Sequence, residues 1–136
     1  MTRGMRNNNP LNIRFAPQNH WRGLAGSDGA FCRFDTLENG FRAAFLLIHR
    51  YMVYGLKTVE EIVSRWAPEI ENYTGAYIYF VCKRMNCTMG KVLDFHSSDD
   101  MCALVFAMAQ IESGDYDKDI IRKAYYIAAD YVSVRH

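Results

Sequence analysis

The run Met101-Cys-Ala-Leu-Val-Phe-Ala-Met-Ala-Gln-Ile-Glu112 constrains this chain more than any other segment. It carries no charge before its last residue, with Ser97-Ser-Asp-Asp100 ahead of it as a helix start and Gly114 behind it as a stop. A helix this apolar has to be buried. Its terminal acid is then either tied down by polar partners or held in a cleft with a raised pKa. The second state is what a general acid requires.

Other helices follow from the same signals. Asp35-Thr-Leu-Glu38 has capping-box spacing, and Leu37, Phe41, Ala44, Phe45, Ile48, Tyr51 and Met52 recur on one face until Gly55. A second box, Thr58-Val-Glu-Glu61, starts a short helix that Pro68 closes, and a third helix follows Asn72 or Thr74 through Tyr77–Met85. Asp117 begins the last one, striped by Ile120, Ile121, Ala124, Tyr125, Ile127, Ala128, Tyr131 and Val132. Before Asp35, short apolar runs alternate with turn residues, Ser27-Asp28-Gly29 being the sharpest turn. With 136 residues, half of them apolar, this predicts one mainly α (α+β) domain with a real core. Residues 1–35 form a small β-hairpin lobe, and residues 36–136 a lobe of about five helices.

The composition excludes several function classes. Lys plus Arg number 16 against 15 Asp plus Glu, which gives no basic surplus for a nucleic-acid partner. No apolar run nears the roughly 18 residues of a membrane span, because His49 and Arg50 interrupt Phe45 to Tyr54, so no membrane insertion is expected. The polar start Met1–Pro10 lacks the apolar core of a secretory signal, so export would need another route or a removed leader, and localisation stays open. The four cysteines (Cys32, Cys82, Cys87, Cys102) read as free packing thiols, and Cys82 and Cys87, five apart, do not have zinc-ligand spacing. His20, His49, His96 and His136 form no ligand pattern, and the chain has neither a nucleophile triad nor a phosphate loop. No metal or organic cofactor is implied.

Glycoside cleavage needs a carboxyl that is still protonated near neutral pH, and burial at a helix C-terminus favours that form for Glu112. Pairing with a Lys or Arg would explain the same residue without chemistry. A second carboxylate is expected across the cleft on the hairpin lobe: Asp28 first, at the turn, and Asp35 second, although turn and capping chemistry account for both. Glu38 rivals Glu112 from the first turn of the long helix, where capping again explains it. Trp21, Tyr73, Tyr77 and Tyr116 lie in or beside loops, where rings can stack on pyranoses. Asn7, Asn8, Asn9 and Asn12 suit either acetamido groups or the local backbone.

The block Arg3-Gly-Met-Arg-Asn-Asn-Asn-Pro-Leu-Asn-Ile-Arg14, followed by Trp21-Arg-Gly23, Asp28-Gly-Ala-Phe31, Phe34-Asp-Thr36 and Gly40-Phe-Arg-Ala43, resembles phage and prophage virion-associated proteins of the lysozyme-like superfamily. Thr58-Val59, Arg65-Trp-Ala-Pro68 and Glu71-Asn72 extend the likeness; Leu11 stands where the pattern has Gly, and Ile70 where it has a Pro-like residue. The same block is similar to the β lobe of bacterial cell-wall glucosaminidases, whose catalytic glutamate precedes that lobe in a Glu-Ser-Gly helix end. Here Ile111-Glu112-Ser113-Gly114 follows the lobe, so the resemblance implies a circularly permuted lysozyme-like domain. It further implies a muramidase, glucosaminidase or lytic transglycosylase whose partner is the peptidoglycan glycan strand. Glu112 would be its acid, Asp28 or the sugar's own acetamido group would stabilise the transition state, and Trp21, Tyr77, Tyr116 and Asn12 would hold the substrate. Two alternatives are a virion or cell-wall-binding protein that keeps the groove without the reaction, and an antibacterial effector with the same chemistry but another delivery route. Oligomeric state is not legible in the sequence.

Overall fold

The computed structural model describes residues 1–68 and 73–135, so Ile70, Glu71, Asn72 and His136 lie outside the described residues. The chain runs through a single-turn helix α1 (Arg3–Arg6), the strands β1 (Leu24–Ser27) and β2 (Cys32–Phe34), then α2 (Leu37–Val53), α3 (Val59–Trp66), α4 (Thr74–Met85), α5 (Ser98–Glu112) and α6 (Lys118–Arg135). This is the mainly α architecture with a small N-terminal hairpin that the patterning predicts. The additional helix, α1, is too short to show a hydrophobic period.

β1 and β2 pair antiparallel, with Ser27 opposite Cys32 and a bulge between Leu24 and Gly26. Asp28 closes the turn, its Oδ1 accepting from the backbone N–H of Ala30 at 3.1 Å and of Phe31 at 2.8 Å. Of the other short runs in the lobe, Arg14 makes one isolated bridge to Phe31. Asparagine side chains replace ladder bonds: buried Asn9 accepts from Ile13 N at 2.9 Å and donates to the carbonyls of Ile13 and Cys32 at 3.0 Å each. Asn8 Nδ2 donates to Phe34 O at 3.2 Å. The side chains of Asn8 and Asn9 are thus spent on backbone groups of the lobe, and that of Asn7 on Asp28 Oδ2 at 2.9 Å.

Capping follows the predicted logic with one correction. The Thr58/Glu61 box forms at the head of α3, and Ser97 caps α5. At the head of α2, however, Thr36 is the cap, its Oγ1 accepting from Asn39 N at 3.1 Å, so the Asp35/Glu38 box does not form. Asp35 instead accepts from Asn39 Nδ2 at 2.9 Å, and Glu38 pairs with Lys123 of α6 at 3.4 Å.

As its apolar surface requires, α5 is enclosed: Met101, Leu104, Val105, Ala107, Met108 and Ala109 are buried. They pack with Phe41, Phe45 and Ile48 of α2, Ile121 and Ala128 of α6 and Leu11 and Ile13 of the lobe in one continuous core. The lobe is seated directly on α2 through Gly40, where a Cβ would run into the carbonyl oxygen of Asn8. All four cysteines are free thiols.

Candidate active site

Glu112 is the last residue of α5, and no basic residue lies in the last turn to offset the helix dipole. The chain turns away at once: Ser113 N and Gly114 N both return to Ala109 O, at 2.8 and 2.9 Å. Gly114 has φ +149°, open to glycine, and faces the Met5 side chain of α1. Buried Ser113 donates its Oγ to Pro10 O at 2.8 Å, which locks the helix end onto the lobe.

The Glu112 carboxylate is half-buried and held at both oxygens. Asn12 Nδ2 donates to Oε1 at 3.0 Å and also to the Glu112 carbonyl at 3.1 Å, while Tyr77 OH donates to Oε2 at 3.0 Å. Asn12 reaches it from the left-handed region (φ +53°), a conformation asparagine tolerates well. Tyr77, 5% exposed, comes from α4; burial and the neighbouring carboxylate push its own pKa well up, which keeps the phenol a donor. Burial raises the Glu112 pKa above its ordinary value, although the bonds from Asn12 and Tyr77 and the charge of Arg14 all pull it down. Desolvation therefore wins. The Oδ1 of Asn12 is buried without a partner among the described residues, so a rotated amide has an acceptor to offer a protonated Glu112.

Glu112 lines a groove of about 630 Å³ between the lobe and the helices. Asn12, Arg14 and Phe31 come from the lobe, Leu47 and Tyr51 from α2, and Arg65, Trp66 and Pro68 from the end of α3. Trp66 stands edge-on to Tyr51 (5.8 Å between centroids) and donates its Nε1–H to Leu11 O at 2.9 Å, so both rings are fixed before any ligand arrives. Arg14 lies over Phe31 at 5.2 Å and Arg65 over Tyr51 at 5.7 Å. Glu112 is the one acid among the described residues that line the groove.

No protein-family model matches this chain. Over 130 residues it is 37% identical to Protein P5 of Pseudoalteromonas phage PM2, an alignment covering 90% of this chain and 79% of that protein. The chain belongs to the P5 family of phage proteins.

In this P5-family chain only some of the anticipated residues meet. Glu112, Asn12 and Tyr77 do, with Asn12 and Tyr77 gripping the acid itself. Asp28 does not join them: its carboxylate takes Arg3 Nε at 2.6 Å and Nη2 at 3.0 Å, Asn7 Nδ2 at 2.9 Å and the N–H groups of its own turn. Those donors, Arg3 foremost, hold its carboxyl far below the usual range, and it is not part of the groove lining. Trp21 is buried and lines a different cavity. Tyr116 sits edge-on to Phe41 at 5.2 Å with its hydroxyl 2.6 Å from Ser113 Oγ, buttressing the α5 terminus from outside the groove. Tyr73 is 90% exposed. The groove aromatics that the sequence reading passed over, Tyr51, Trp66 and Phe31, occur at element ends. There an aromatic with one polar edge and one apolar face is the available signal. Among the described residues no group of three or more metal-ligating side chains is assembled.

Proposed function

We propose that this protein cleaves the glycan strand of peptidoglycan with Glu112 as general acid. The observation that carries the reading is a half-buried carboxyl with a raised pKa lining an aromatic-walled groove of about 630 Å³. Tyr51, Trp66 and Phe31 offer rings for the sugar faces, and Arg14 and Arg65 bring positive charge suited to the carboxylates of the peptide stems. The resemblance of the N-terminal block to lysozyme-like proteins is the sequence ground for the same reading.

In this mechanism Glu112 gives its proton to the glycosidic oxygen as the C1–O bond breaks, and the bonding pair leaves with that oxygen. With no second acid among the described groove residues, the acetamido oxygen of the sugar takes the positive charge at C1. Glu112, now a carboxylate held by Asn12 and Tyr77, then takes a proton from water or from the sugar's C6 hydroxyl as that oxygen bonds to C1 and the acetamido oxygen leaves C1 with its bonding pair. The first outcome is hydrolysis and the second an anhydro sugar.

One observation favours a second reading, a cell-wall-binding protein without turnover. Both Glu112 oxygens already accept hydrogen bonds, which also suits a purely structural carboxylate. Mass spectrometry of purified peptidoglycan incubated with wild type and with Glu112→Gln separates the readings. The expected result is cleaved muropeptides from wild type only; intact glycan carrying bound protein in both samples would select the binder.

A further inference from the structure

A second cavity, about 440 Å³, lies between the segment at residues 20–22, α2 and α6, and its lining includes His20, Trp21, Arg22, Arg42 and Arg50. Its chemistry is one-sided. Trp21 and Arg42 are only 8% and 7% exposed, and the indole Nε1–H of one and the Nε–H of the other have no hydrogen-bond partner among the described residues. Both orphaned groups are donors. Arg42 is held over the Tyr131 ring at 5.0 Å and Arg50 over the Trp21 ring at 4.6 Å, so aromatic faces orient the two guanidinium groups. Burial and the adjacent Arg22 hold the Arg42 pKa below its ordinary value, as expected where positive charges gather. No Asp or Glu is among the described residues that line this cavity.

We propose that this cavity binds a phosphate group, with Arg42 and Trp21 as buried donors and the exposed Arg22 and Arg50 at its mouth. A buried donor without an acceptor is an expensive state, and no carboxylate among the described lining residues balances the guanidinium charges. An oxyanion supplies both. A tetrahedral phosphate presents oxygens in several directions, which suits donors arriving from residues 21 and 22 and from two turns of α2, whereas a flat carboxylate suits one fork. The phosphate is either free or esterified to a larger molecule. This site is separate from the groove, which it adjoins at Asn19, the acceptor of the 3.1 Å bond from Arg50 Nη1, and it does not depend on glycan cleavage.

The chain has two tryptophans, and the indole N–H of Trp66 is already bonded to Leu11 O at 2.9 Å, so it serves as an internal reference. Inorganic phosphate titrated into the 15N-labelled full chain, at ionic strength fixed with chloride, should move the Trp21 indole resonance saturably downfield and leave that of Trp66 in place. Arg42→Gln and the surface variant Arg22→Gln should each raise the phosphate Kd about tenfold. Arg22→Gln carries the test if Arg42→Gln does not fold. Tighter binding of glycerol phosphate than of inorganic phosphate would identify an esterified ligand, and the reverse a free one. A Trp21 resonance unmoved at saturating phosphate, a response equal in wild type and Arg22→Gln, or an equal response to acetate would overturn the assignment.

Discussion

At Glu112 burial and the carbonyl end of α5 oppose charge, while Asn12, Tyr77 and Arg14 support it. The balance leaves the folded-state pKa above 4.5, the ordinary value expected in the unfolded chain. Between those two values the native state binds more protons than the unfolded state, so stability is greatest below the unfolded value and falls as pH rises through the folded one. Glu112→Gln removes that dependence. Thermal melts from pH 4 to pH 7 should therefore show the variant gaining on wild type as pH rises, with the difference vanishing near pH 4; parallel curves would mean the pKa is not raised. Asp28 has the opposite sign. Its depressed pKa stabilises the lobe above the ordinary value of 3.8, and that stabilisation is lost as pH falls toward the folded value.

Among the elements, α2 is the platform. One part of it carries Gly40 against the Asn8 carbonyl, and a later turn supplies Leu47 and Tyr51 to the groove. A methyl at residue 40 has nowhere to go without lifting the lobe, so Gly40→Ala should destabilise the fold by about 1–3 kcal/mol. Gly75, near the start of α4, has no atom within 4 Å of an added Cβ, and Gly75→Ala should stabilise by about 0.4–1 kcal/mol. Urea unfolding of the two variants checks both signs; equal effects would show that the close approach at Gly40 is not a constraint. Helix starts and stops were legible because caps act locally, as at Thr58 and Ser97. Thr36 takes the place of the expected Asp35 cap, and Asp35 accepts from the Asn39 side chain instead.

For the whole molecule, the lobe and the last turn of α5 meet although a hundred residues separate Asn12 from Glu112. Ser113, next in the chain after Glu112, is likewise bonded to Pro10 of the lobe. The two tryptophans fall in different cavities, which makes substrate position readable. A chito-oligosaccharide should quench the fluorescence of Trp21→Phe, where Trp66 reports, and leave that of Trp66→Phe nearly unchanged. The reverse pattern would move the glycan away from Glu112.

Local chemistry determined the helices, the hairpin turn, the buried α5 and the suspicion that its terminal acid matters, because periodicity, caps and composition act over a few neighbouring residues. Tertiary structure alone decided the partners. Asp28 and Glu112 are both acids at element ends, but Arg3 and Asn7 reach the first and leave it charged, while the second is half-buried against Tyr77 and Asn12. Long-range packing sets desolvation and the geometry of donors, and no window along the chain contains either.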